Sequence, residues 1–349
     1  MSKYVRVLGG VLLTGFFLWL ALHNVDIDAV KSALRHASYG YLPPAALYSL
    51  VGYGLRTQRW GNILSSTKAI PFARLFPVLM AGFAANNLLP ARIGEFVRAY
   101  LLGRTEEVSP SLALATIVVE RVCDGLTLIA LMAVTLLFFP IPVSDPKLQT
   151  IELAAAIIFG LATVALLALL FFPRPILAVV RACLRPLPER IAVRVTGLLD
   201  AFIAGLDALR RPAAVARIAA LSLLVWCCEA GAFAFVLLAF PLGLAPGEWI
   251  AATAFLLVFV NLGIMIPAAP GYIGTYQFFA KLALGAFAVA EAPALALSLV
   301  AHALQYTLVT TVGLLSLWRL GFSPRALGGM ANAEVEALPN GRVAPEPAD

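Results

Sequence analysis

Asn87-Leu88-Leu89-Pro90-Ala91-Arg92-Ile93-Gly94-Glu95-Phe96-Val97-Arg98 breaks an apolar run over about residues 71–102, and Pro270-Gly271-Tyr272-Ile273-Gly274-Thr275-Tyr276 breaks another over about 248–285. Aligned without gaps, the two stretches give Pro-x-x-Ile-Gly-x-aromatic twice, 180 residues apart. Asn86 and Asn87 precede the first, Asn261 and Pro267 the second. Proline removes a helical hydrogen bond and glycine loosens the backbone, so each stretch predicts a helix interrupted inside an apolar segment.

The surroundings of these breaks are membrane-like. The chain is 61% hydrophobic and only 13% charged, far from the balance of a water-soluble domain. Further apolar runs fall at about 4–22, 42–61, 111–139, 151–172, 213–241 and 293–320, and about 20 residues of helix cross about 30 Å of hydrocarbon. The expected fold is an all-α polytopic membrane protein with about six full spans plus two broken or re-entrant helical segments. Residues 1–320 read as a single transmembrane domain with a basic loop at 173–212, and 321–349 as a disordered tail. In the loop, Ile191, Val195, Leu198, Leu199, Phe202 and Leu206 recur at helical spacing and suggest an amphipathic surface helix. Lys3 and Arg6 before the first run resemble a signal sequence. Ala21-Leu22-His23 lacks the small residues of a cleavage site, so the segment is expected to remain as a span.

A net charge of +6 is distributed between apolar runs and not in a basic arm, so it is read as membrane orientation and no nucleic-acid partner is expected. The positive-inside rule assigns Lys3, Arg6, the cations from Arg56 to Arg74, the basic loop, Arg319 and Arg325 to the cytoplasm. Both termini then face the cytoplasm of a cell (inner) membrane protein, and the two broken segments enter from opposite sides as an inverted repeat, a device that places irregular backbone near the midplane of transporters. Helices starting after Gly94 and Gly274 would aim N–H groups at that region and favour an anion. Trp19, Trp60, Trp249 and Trp318 are read as interfacial belts. No cysteine pair or histidine cluster has metal-ligand spacing, so neither metal nor cofactor is expected.

The intramembrane charges are the candidate site. Arg92, Glu95 and Arg98, three apart, share a helix face on which two arginines could clamp a phosphate. Glu120, Arg121 and Asp124 lie in an otherwise apolar span, where a central charge costs about 2.5–3.5 kcal/mol and demands a partner. Arg121 reaches Asp124 one turn on, and Glu120 requires an outside cation, Arg92 or Arg98. Glu229 and Lys281 stand alone in their runs. His302 and Tyr306 share a face of the last helix, with Gln305 beside them, and a lone histidine there reads as a hydrogen-bonded packing residue. The candidate substrate-binding set is therefore Asn87, Pro90, Arg92, Gly94, Glu95, Arg98, Glu120, Arg121, Asp124, Pro270, Gly271, Gly274, Tyr276, His302 and Tyr306.

The stretch from Asn87 to Arg98, Glu120-Arg121-x-x-Asp124 and Pro270-Gly271-Tyr272-Ile273-Gly274 resemble the lysylphosphatidylglycerol synthase transmembrane, or flippase-like, family over about residues 5–320. Thr275 stands where a glutamate is frequent in that family. The resemblance implies the lipid-handling membrane half of the multiple peptide resistance factor, without its soluble aminoacyl-transferring half. Implied is a non-enzymatic lipid flippase or scramblase whose partners are anionic or phosphate-bearing membrane lipids. The alternative is a lipid-binding subunit that presents a lipid to a partner glycosyltransferase or aminoacyltransferase. The sequence contains no P-loop, so transport would be passive or coupled to an ion gradient.

Overall fold

The computed structural model describes residues 3–65, 67–89, 93–139, 175, 212–265 and 270–323. The expected span at 151–172, the basic loop with its amphipathic segment, Pro90, Arg92 and the tail from 324 lie outside them. Among the described residues the chain is all helical: α1 (Lys3–Leu22), α2 (Ile27–His36), α3 (Leu42–Leu64), α4 (Phe72–Leu88), α5 (Gly94–Glu106), α6 (Pro110–Phe138), α7 (Pro212–Leu238), α8 (Glu248–Gly263), α9 (Thr275–Gly285) and α10 (Glu291–Arg319).

Local chemistry sets the ends of these helices. Ser109 accepts from Leu112 N at 3.2 Å and Pro110 occupies the first turn of α6, the usual start of a long helix. α2 was not anticipated from the sequence, although Asp26 signals it by capping Asp28 N at 2.8 Å and Ala29 N at 3.3 Å. It meets the end of α1 at a bend of 78°. α6, α7 and α10 are each long and apolar enough to cross a membrane, and the bent α1–α2 pair makes a fourth if it is one span. At 23 residues, α3 is also long enough, but it carries Arg56 and Arg59.

Both broken segments fold back on themselves. Gly94 N donates to Asn86 Oδ1 at 2.8 Å, and a Cβ on Gly82 would lie 2.9 Å from Arg98 Cβ. Residues 86 and 94, and then 82 and 98, are thus neighbours, so α5 runs antiparallel along α4. Likewise Gly263 lies against the Phe279 ring, and Phe255 meets Phe287 edge to face at 5.4 Å, which makes α8 and α9 a second antiparallel hairpin. Glycine is required at both breaks. A Cβ on Gly94 would collide with Gly82 O and the Asn86 side chain. Gly271 and Gly274 have φ of 74° and 89°, a region open chiefly to glycine.

α10 orders the two hairpins. From its C-terminal end inward, Arg319 borders a small cavity with Arg74, Gly313 packs on Met80 and Ala84, and Thr310 accepts from Asn87 Nδ2 at 3.1 Å. From its N-terminal end inward, Glu291 pairs with Lys281 at 3.0 Å, His302 meets Gln277 at 2.9 Å, and Tyr306 packs on Gly271. The hairpins therefore approach from opposite ends of α10 and meet tip to tip, where a Cβ on Gly271 would lie 3.7 Å from Asn87 O. This is the inverted arrangement anticipated from the repeated Pro-x-x-Ile-Gly. Two apolar cores follow it, one around α7, α8, α9 and the first half of α10, the other around α3, α4, α5 and its last turns.

Two expectations are corrected. Arg56 and Arg59, counted in the sequence among the cations that set orientation, are buried in the helical interior. Trp60 is also buried, under the Arg98 guanidinium at 3.6 Å, and does not belong to an interfacial belt.

The close approach at Gly94 makes Gly94→Ala strongly destabilising, because backbone atoms on the facing helix cannot yield as a flexible side chain can. Nothing lies within 4 Å of a Cβ on Gly285. In detergent, Gly94→Ala is expected to lower the melting temperature by several degrees and Gly285→Ala by far less; equal effects would reject the close packing at the first break.

Candidate functional site

The hairpin tips and α3, α6, α7 and α10 enclose an open-mouthed cavity. Of the candidate substrate-binding set, Asn87, Arg121, Tyr276, His302 and Tyr306 line it, as do Asn86, Glu229, Asn261 and Gln305, which the sequence marked outside that set. Arg98, Glu120 and Asp124 are buried and do not line it. Gly94, Pro270, Gly271 and Gly274 shape the two breaks, and Glu95 pairs with Arg121 at 3.3 Å. Pro90 and Arg92 lie outside the described residues.

Behind one wall runs a continuous ion-pair network. Glu120 receives Arg98, as expected for its missing outside partner, and also lies 3.7 Å from Arg59. Arg59 donates to Asp124 Oδ1 at 2.8 Å and to Ser222 Oγ at 3.0 Å. Asp124 also faces Arg121 at 3.5 Å, the expected one-turn pair, and Arg56 at 3.6 Å. Arg56 continues to Glu229 at 3.4 Å, so Glu229 is not the solitary charge that its sequence position suggested. Arg59 is 1% exposed and Glu120 2%. Charges buried to this degree are tolerable only when paired. Aromatic rings carry part of the load: Arg98 sits over Trp60, whose Nε1 donates to Thr116 Oγ1 at 3.0 Å, and Arg56 sits 4.8 Å from the Trp226 ring.

The candidate set drawn from the sequence left out Arg56, Arg59 and Trp226, and it left out Glu229 although that residue was noted as a charge inside an apolar run. The available signal was spacing: Arg56 and Arg59 are three apart in an apolar run, as are Arg121 and Asp124, so each pair shares a helix face.

At the second hairpin one N–H at the helix start is already held by a side chain. Gly274 N donates to Gln277 Oε1 at 2.8 Å. With that oxygen occupied, the amide nitrogen of Gln277 donates to His302 Nδ1 at 2.9 Å, and the imidazole stacks on Tyr276 at 4.5 Å. His302 thus fastens the second break to α10, the packing role anticipated for it. Because Asn86 holds Gly94 N in the same way, the first N–H at each break is committed to a side chain and not offered to an anion.

The network predicts an asymmetry in stability. Glu120→Gln leaves Arg59 and Arg98 under-compensated in the interior and should cost about 3–5 kcal/mol, whereas Glu291→Gln, which breaks the half-exposed pair with Lys281, should cost about 0–1 kcal/mol. Chemical unfolding in detergent micelles reads both, and comparable losses would contradict the network's role.

The family model described as "Lysylphosphatidylglycerol synthase TM region" matches residues 7–313. The chain is 28% identical over 337 residues to a protein of Haloferax volcanii named "Glycosyltransferase AglD", covering 90% of this chain and 54% of that protein. It is 35% identical over 112 residues to a UPF0104 membrane protein of Methanothermobacter thermautotrophicus, covering 31% and 33% of the two chains. A UPF0104 membrane protein of Methanocaldococcus jannaschii is 26% identical over 117 residues, 33% of this chain and 35% of that one. The matched regions thus span about half of the first relative's length and about a third of the other two. With the family model matching most of the chain, the motifs that carried the resemblance folded into two opposed hairpins and the apolar helices around them, the protein belongs to the lysylphosphatidylglycerol synthase transmembrane family.

Proposed function

We propose that this membrane protein is a lipid flippase or scramblase, passing the headgroup of a phospholipid or lipid-linked substrate between leaflets through the cavity while the acyl chains remain in the bilayer. The observation that carries this reading is a cavity bordered by Arg56, Arg121 and Glu229 on an otherwise largely apolar and aromatic wall, at the meeting point of two opposed hairpins inside an apolar helical protein. Irregular backbone at membrane depth is stable where it lines such a cavity, and opposed repeats meeting there allow one half to rock against the other. Tyr272, non-glycine with φ of 57°, borders the cavity at the second break, and strained backbone of this kind tends to collect where a chain must change conformation.

In this reading the ion-pair network does not hold the substrate directly. Arg98 and Glu120 fix the wall, Arg121 and Arg56 present its charged edge, and the chain performs no bond chemistry of its own.

A second reading draws on the name of the Haloferax relative. A membrane unit matching roughly half of a protein called a glycosyltransferase would bind a lipid and present it to a transferase, with no transport.

The test is leaflet exchange of labelled lipids in proteoliposomes at matched reconstitution, comparing the wild type with Ala301→Phe, which fills the cavity from α10, and Arg121→Gln. Exchange that is rapid in the wild type and at least about tenfold slower in both folded variants supports the flippase reading. Undiminished exchange in Ala301→Phe rejects the cavity as the route, and no exchange with any lipid favours the presenting subunit.

A further inference from the structure

Both arginines on the cavity wall are held by carboxylates on two sides. Arg56 lies 3.6 Å from Asp124 and 3.4 Å from Glu229, and Arg121 lies 3.3 Å from Glu95 and 3.5 Å from Asp124. A phosphate taken up by either would displace a carboxylate and strand it in a low-dielectric wall without its countercharge, which offsets much of the gain. Glu229 and Asp124 would also repel it.

Among the described residues, the donors that the wall offers without such displacement are uncharged. Trp226 is buried and lines the cavity, and its indole Nε1–H, itself almost without exposed surface, has no hydrogen-bond partner among the described residues. Buried donors in native proteins are almost always paired, so this one requires an explanation. Gln305 Nε2 donates to Tyr53 Oη at 2.7 Å, which leaves the phenol's own proton to be given elsewhere. Gln305 also lies 3.4 Å from Glu229 Oε1, so a carboxylate, an amide and a phenol converge in the cavity that Trp226 also lines. The rings of Tyr276 and Tyr306 border the same space.

Neutral donors and an acceptor set among aromatic faces complement a ring that carries hydroxyl groups. Its hydroxyls can exchange hydrogen bonds with the indole, phenol and carboxylate, its C–H faces can lie on the rings, and it brings no net charge into a wall that is already paired.

We infer that the cavity recognises the polyhydroxylated, sugar-like part of a lipid headgroup, with the Trp226 N–H donating to one of its oxygens. This assignment rests on the reading of the cavity as a lipid-headgroup site and names the class of headgroup.

The experiment is equilibrium binding to the full chain in nanodiscs, using glycosyl diacylglycerol, phosphatidic acid and diacylglycerol of equal chain length, with wild type, Trp226→Phe and Tyr53→Phe. Trp226→Phe keeps an aromatic ring near Arg56 while removing the N–H together with the pyrrole part of the indole, and Tyr53→Phe removes only the hydroxyl. The expected result is glycosyl-lipid binding at least tenfold tighter than that of the other two lipids, weakened about fivefold or more in each variant that melts like the wild type. Phosphatidic acid binding as tightly as the glycosyl lipid, indistinguishable weak binding of all three, or full affinity in both variants would overturn the assignment. Should one variant fail to fold, the other decides. Glycosyl-lipid binding without leaflet exchange of any lipid would sink the transport reading alone, whereas exchange of phosphatidic acid with no glycosyl-lipid binding would sink this assignment alone.

Discussion

The buried ion pair between Arg59 and Asp124, 2.8 Å long and joining α3 to α6, is the constraint on which the rest of the interior depends. Each partner is shared. Arg59 also reaches Glu120, which takes Arg98 from α5, and Asp124 also reaches Arg56 and Arg121, which extend the chain of charges to Glu229 on α7 and Glu95 on α5. Four helices are thereby tied by groups that the bilayer would not accept singly. Such networks are weak evidence of net stability, since desolvation offsets much of the Coulomb gain. Their effect is on uniqueness: any other packing of α3 against α6 leaves a charge buried without a partner.

A second constraint is steric and acts at the breaks. Each hairpin tip needs glycine where a side chain would strike the facing backbone, and each exposes helix-end N–H groups to an interior short of water. The two tips solve the second problem alike, Asn86 holding Gly94 N and Gln277 holding Gly274 N. The solution reaches further in the second hairpin, since Gln277 passes the contact on to His302 of α10. One N–H at each tip is thereby held from within, and much of the character of the cavity between them comes from the side chains around it.

The fold and the site meet in α10. One half supports the α4–α5 hairpin and the other the α8–α9 hairpin, so the residues where they meet, from His302 to Thr310, border the cavity and bear both tips. A displacement of the α8–α9 hairpin along this helix would change the cavity without unpairing the charges on α3 and α6, whereas moving the α4–α5 hairpin would separate Arg98 from Glu120 and Glu95 from Arg121.

Much of this could be read from the chain alone, because its causes are local. Proline and glycine mark the breaks wherever they stand, an apolar run of sufficient length is a helix in a bilayer, and Arg121 reaches Asp124 because three residues make nearly one turn. The repeated Pro-x-x-Ile-Gly also anticipated two opposed segments. Only the tertiary structure decided which charges meet. Arg56 and Arg59 sat among cations that orientation rules assign to a membrane face, and Glu229 had no neighbour to balance it in sequence. Their partners lie 65 and 173 residues away along the chain, distances over which neither periodicity nor spacing carries information. Sequence fixes what must be paired and where a helix must break, while the partner is set by which helices pack together.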